Sequence, residues 1–161
     1  MVDERNIYIV GLGASAGGFE ALQKFLERIE ENGNILYVIV QHLDPNQPTL
    51  LGNLLGKYTK LPISMIEDGI IPLPNNIYFC PPNKDLTLKN NRFILTEPQE
   101  KAYPKPSINK FFESLAIEKK EKAIGVILSG TGSDGAKGIE FIHKFGGIAL
   151  AEDEGAKYFS M

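Results

Sequence analysis

The chain has 161 residues, 43% of them hydrophobic and 23% charged, which is the size and balance of one globular domain with a core of its own. A net charge of −3 and a sequence pI of about 5.5 leave no basic field of the kind that holds phosphate backbones by counterion release, so nucleic acid is not an expected partner. A single cysteine, Cys80, excludes an internal disulfide and suits a reducing cytoplasm, and no apolar run reaches the length of a membrane span, so a soluble chain without membrane insertion is expected.

Read in order, the apolar run Ile7-Tyr-Ile-Val10 predicts a strand, and Phe19, Leu22, Leu26 and Ile29 predict one face of a helix. Between them lies the turn Gly11-Leu-Gly-Ala-Ser15-Ala-Gly-Gly18. Within it, Gly13-Ala-Ser15-Ala-Gly17 fits the G-x-S-x-G nucleophile elbow, in which glycines let the backbone lift a serine hydroxyl above the sheet edge. Gly11-x-Gly13-x-x-Ala16 also satisfies the loose dinucleotide-binding pattern, and a glycine-rich first turn can be tight packing alone. From the turn itself all three readings stay open.

Ile35 to Val40 is a continuous apolar run, the signature of a parallel strand buried on both faces, and it empties into Gln41-His42. The strand, helix, strand order makes the first two strands close neighbours, so Ser15 and His42 leave the same edge. Leu50, Leu51, Leu54, Leu55 and Tyr58 predict a helix starting near Thr49, and Leu61 to Met65 a short strand. From Asp68 to Thr96 the signals change to short strands and turns, read as a small antiparallel hairpin region appended to the sheet. It contains the apolar run Ile77-Tyr-Phe-Cys80, where a buried, inert thiol is expected.

Glu97 to Pro106 reads as a loop, and Ser107 as the N-cap of a helix that buries Ile108, Phe111, Phe112, Leu115 and Ala116. Ala123 to Leu128 is another central strand, ending in the second glycine-rich turn, Ser129-Gly-Thr-Gly-Ser-Asp134-Gly. A last helix carries Ile139, Ile142 and Phe145, and Ile148 to Ala151 is the final strand. The predicted fold class is α/β, with a mainly parallel doubly wound sheet, helices on both faces and a small antiparallel hairpin.

Three turns thus leave the C-terminal ends of three strands, the edge at which open α/β sheets place their sites. They carry Ser15, His42 and Asp134, the residue types of a nucleophile, a base and the carboxylate that orients the base. Taken singly, each has a bland reading: a helix N-cap, a strand-end histidine bonded to backbone, an Asx turn. Only two histidines occur in the chain, and the other, His143, falls within the last helix, away from the edge. A dinucleotide site would want an acidic residue at the end of the second strand, and Gln41-His42 stands there. No metal-ligand spacing occurs, and no cofactor is expected.

At this point Gly13-Ala-Ser15-Ala-Gly17-Gly18, Val40-Gln41-His42-Leu43, Pro106-Ser-Ile-Asn109 with Phe112 and Ser114, and Leu128-Ser-Gly-Thr-Gly-Ser-Asp134-Gly resemble the catalytic domain of the chemotaxis protein-glutamate methylesterases, CheB. The resemblance covers essentially the whole chain, residues 1–161, as one domain. Pro81-Pro-Asn-Lys-Asp-Leu-Thr-Leu88 resembles especially the version fused to a CheR-type methyltransferase. The resemblance implies a Ser15-His42-Asp134 triad, oxyanion donors from backbone N–H groups near Ala16 and Thr131, and hydrolysis of glutamate γ-methyl esters on the signalling helices of a methylated chemoreceptor. Glutamine deamidation can accompany this in the family. A receptor-docking module without turnover is the alternative reading. The receiver domain of the stand-alone enzymes does not precede this sequence, and its end falls inside a segment that relatives continue with further helix, so a trimmed domain with an uncovered sheet face is expected.

Overall fold

A computed structural model describes residues 3–15, 18–42, 51–98, 106–128 and 134–152. The elements in chain order are β1 (Tyr8–Ala14), α1 (Phe19–Arg28), β2 (Ile35–Gln41), α2 (Leu51–Leu55), β3 (Ile63–Met65), β4 (Ile77–Phe79), β5 (Asp85–Lys89), β6 (Arg92–Thr96), α3 (Ile108–Lys119), β7 (Ala123–Leu128), α4 (Ala136–Lys144) and β8 (Ile148–Ala151). Six strands form a sheet in the order β3-β4-β2-β1-β7-β8, with every neighbouring pair parallel.

Apolar side chains alternate between the two faces of this sheet and need cover on both. On one face Val10, Leu12, Tyr37, Ile39 and Phe79 pack with Leu22 and Leu26 of α1 and with Leu51 and Leu55 of α2. On the other, Ile9, Val38 and Val40 pack with Phe111, Phe112 and Leu115 of α3, Ile142 of α4, and Leu86, Leu88 and Phe93 of the β5/β6 hairpin. The expected layering, helices on both faces of a parallel sheet, is what forms. Ser107 caps α3 as the sequence predicts, its hydroxyl accepting from the Lys110 N–H.

The glycines of the first turn have a different task from the one their pattern suggests. Gly11 and Gly13 lie inside β1, not beyond it. A Cβ on Gly11 would come within 2.8 Å of Phe112 Cε1, and one on Gly13 within 2.7 Å of Ile108 Cγ2. Their bare backbones let α3 lie directly on the central strand, which brings the start of that helix to the strand's C-terminal end.

The hairpin is smaller than expected. Among the described residues only β5 and β6 pair antiparallel, from Asp85↔Thr96 to Lys89↔Arg92. Asn90 and Asn91 both take positive φ (51° and 58°) in the two-residue turn, the twist-matched geometry for tight hairpins. Ile77–Phe79 belongs instead to the parallel sheet, between β2 and β3. All three of its residues are buried, as a strand enclosed on both faces requires. No helix among the described residues is long and apolar enough to cross a membrane.

Candidate active site

The strand order changes direction at β1: the chain leaves it toward β2 on one side and later returns on the other as β7. A crevice opens beyond the C-terminal ends of the strands at such a reversal. Ser15 follows the last residue of β1, and His42 follows the last residue of β2. Since Ala14 pairs with Gln41, and the His42 N–H donates to the Ala14 carbonyl at 3.0 Å, these two residues step off adjacent strands at the same level.

The chain turns sharply after Ser15. The Gly18 N–H donates to the Ser15 carbonyl at 2.9 Å, and Gln41 Nε2 donates to the same oxygen at 3.3 Å. A Cβ on Gly18 would fall 2.7 Å from Ala14 Cβ, so only glycine closes this turn without displacement. Gln41 is buried, and its bond ties the serine's backbone to the neighbouring strand end.

Asp134 completes the edge. His42 Nε2 stands 2.8 Å from Asp134 Oδ2, with both side chains more than four-fifths shielded from solvent. The same carboxylate sits on the N-terminus of α3, Oδ2 accepting from the Ile108 N–H and Oδ1 from the Asn109 N–H, each at 2.9 Å. Burial pushes the Asp134 pKa up, but the His42 hydrogen bond and the two backbone N–H groups outweigh it and hold the carboxyl below its ordinary value. An ionised carboxylate only accepts hydrogen bonds, so Nε2 donates in this contact, and a neutral imidazole so held has its lone pair on Nδ1. Nδ1 is therefore the atom of His42 that can take a proton.

A second carboxylate steadies the same helix end. Asp85, 1% exposed, accepts from the Ser107 N–H at 3.0 Å and from Lys110 Nζ at 2.9 Å. The N–H groups of Ser107, Ile108, Asn109 and Lys110, which helix geometry leaves without intrahelical partners, are thus all satisfied by side chains. The arrangement of a serine, an imidazole whose Nδ1 is not used by the Asp134 contact and an ionised carboxylate suits nucleophilic attack on a carbonyl. Among the described residues, no group of three or more His, Cys, Asp and Glu could hold a metal ion.

The family model described as CheB methylesterase matches residues 10–161. The chain belongs to the CheB methylesterase family. Among curated CheB relatives it is 35% identical, over 91% of its own length, to protein-glutamate methylesterase/protein-glutamine glutaminase 3 of Pseudomonas aeruginosa. It is 32% identical, over 94% of its length, to the protein-glutamate methylesterase/protein-glutamine glutaminase of Treponema denticola. The chain spans 44% and 42% of the lengths of these two proteins. The crystal structure of the Thermotoga maritima CheB methylesterase catalytic domain superposes with a TM-score of 0.85 at 31% identity, covering 92% of this chain and 80% of that one.

The CheB fold thus brings His42 and Asp134 into contact and sets Ser15 on the adjacent strand end. Ala16 and Thr131, the expected oxyanion donors, lie outside the described residues. His143 is exposed on α4, away from this edge. Cys80 is buried, and burial, with Asp85 adding to it, pushes its thiol pKa well up, as suits an inert thiol. The seat of Asp134 on α3 is not legible in the sequence. Ser107-Ile-Asn109 signals a helix start, but the carboxylate that this start binds lies 25 residues from Asn109.

Proposed function

We propose that this domain is a serine carboxylesterase that hydrolyses glutamate γ-methyl esters on the signalling helices of methylated chemoreceptors and releases methanol. The observation that carries the reading is the 2.8 Å contact of His42 Nε2 with the ionised Asp134, one strand away from Ser15. It leaves Nδ1 as the base and supplies the negative charge that stabilises the imidazolium.

In the proposed cycle His42 Nδ1 takes the Ser15 hydroxyl proton as Oγ attacks the ester carbonyl. Backbone N–H groups of Ala16 and Thr131 receive the negative charge that develops on the carbonyl oxygen. The C–O bond to the methoxy group then breaks, and the imidazolium gives its proton to the departing methoxy oxygen, which leaves as methanol. Water, deprotonated by the same nitrogen, attacks the acyl-enzyme and returns Ser15 and a glutamate side chain. With an amide substrate the leaving group is ammonia, so glutamine deamidation follows the same route, in keeping with the glutaminase in the relatives' names. No step calls for a cofactor.

The ester substrate must come from a methyltransferase, and the Pro81–Leu88 segment supports a fused or associated CheR-type partner. The single reduced cysteine supports a cytoplasmic setting. Methanol release from methylated receptor by this chain, with Ser15→Ala as control, tests the reading. Release that depends on Ser15 supports it, whereas receptor binding without release would mark a docking module.

A further inference from the structure

The start of α3 and the start of α4 satisfy each other. Asp134, which leads into α4, accepts from the first N–H groups of α3, while Asn109 Oδ1, in the first turn of α3, accepts from the Gly135 and Gly138 N–H groups at 2.9 Å each. α4 has no side-chain cap of its own: its N-cap is Gly135, in the left-handed region at φ +103°. Asn109 therefore stands in for the cap from another helix, and it touches the stretch from Asp134 to Gly138 through three hydrogen bonds.

The close approach this needs is built into α4. A Cβ on Gly138 would fall 2.5 Å from Phe112 Cβ and 3.3 Å from Asn109 Cα, so a bare backbone lets the two helices meet where the amide reaches across. The side-chain oxygen of Asn109 is an acceptor without charge, so capping α4 in this way adds no negative charge beside Asp134.

We infer that Asn109 is a positioning residue of this site: by capping α4 from the first turn of α3, its side chain fixes where the Asp134 carboxylate meets His42. The inference rests on the esterase reading and extends it to a residue whose bonds run to Asp134, Gly135 and Gly138. Without the amide oxygen, the backbone after Asp134 loses two ties, and the carboxylate is left to hold its own main chain in place. Misplacement of such a group by about 1 Å is enough to cost on the order of 100-fold in rate.

The test is a double-mutant cycle on kcat for methanol release from methylated receptor, with the rate of Ser15 labelling by a fluorophosphonate as a second readout. Asn109→Ala should lower kcat by roughly 10- to 100-fold with KM little changed, because the interaction lost serves the transition state. Asn109→Asp keeps the acceptor but adds a second negative charge beside Asp134, so it should restore only part of the rate. In an Asp134→Ala background Asn109→Ala should cost nothing further, since the residue acts through that carboxylate; a merely structural role would cost the same in both backgrounds. Should Asn109→Ala not fold, Asn109→Ser, whose hydroxyl is too short to reach both N–H groups, goes through the same cycle. An active wild type with additive losses, or an unchanged kcat in the folded variant, overturns the positioning role alone. A wild type that neither releases methanol nor labels at Ser15 overturns the esterase reading and this inference with it.

Discussion

His42 and Asp134 are 92 positions apart in the chain, yet His42 Nε2 lies 2.8 Å from Asp134 Oδ2, and two N–H groups of α3 hold the same carboxylate from behind. Three donors therefore converge on one acidic side chain. This fixes its ionisation, and through it the tautomer of the imidazole.

The first prediction follows from that count of donors. Asp134→Asn leaves one acceptor oxygen where three N–H groups point, so the new NH2 must face either the Asn109 N–H or both the Ile108 N–H and the imidazole. Either choice strands a buried backbone donor, at about 1–3 kcal/mol of stability. The second also inverts the tautomer and puts the proton on Nδ1. Thermal unfolding should show a folded but weakened domain, and methanol release should fall by up to about 10⁴-fold. A variant with wild-type turnover would remove Asp134 from the mechanism.

Acid sensitivity is the second prediction. The folded-state pKa of Asp134 lies below its ordinary value, so near that value the unfolded chain binds more protons than the folded one and stability rises with pH. The contribution is fully present above the unfolded value of about 3.9 and is lost as pH falls through the lower, folded one. Denaturant unfolding followed downward from about pH 5 should therefore lose stability less steeply in Asp134→Asn than in wild type. Equal slopes would show that the carboxylate titrates alike in both states.

The site and the fold differ in how plainly the sequence shows them, and the difference has a physical origin. Ser15, His42 and Asp134 are legible because each follows a strand whose apolar run is visible, and a parallel sheet gathers strand ends on one edge. β4 hides because three residues, Ile77–Phe79, are too short to show whether a strand is enclosed on both faces or joins a hairpin. The capping of α3 by Asp134 and of α4 by Asn109 is hidden for another reason. It pairs helix starts that only tertiary packing brings together, whereas the local cap of Ser107 on Lys110 could be read from three neighbouring letters.

A third prediction concerns the glycines that the dinucleotide pattern also claims. If Gly13 serves packing, Gly13→Ala drives a methyl group toward Ile108 Cγ2, 2.7 Å away, and α3 must shift. Overpacking of this kind typically costs about 1–3 kcal/mol, and here it displaces the helix start that holds Asp134. Denaturant unfolding and turnover should fall together. A loss of turnover with unchanged stability would instead place Gly13 among the groups that contact substrate.

The last prediction uses one reagent to separate an esterase from a docking domain. A serine-directed sulfonyl fluoride or fluorophosphonate should label Ser15, because a hydroxyl attacks such a centre at a useful rate only when a base takes its proton and N–H donors receive the developing charge. Mass mapping should find the adduct on the peptide that contains Ser15, and labelling should be lost in Ser15→Ala. The informative control is His42→Ala. Nδ1 is the ring nitrogen left free by the Asp134 contact, so removing the imidazole takes away the proton acceptor while the strand ends stay paired through the backbone. Labelling should collapse in that variant. A serine that reacts equally well without its histidine is merely accessible, and such a result, or an adduct mapped to another residue, would end the triad assignment.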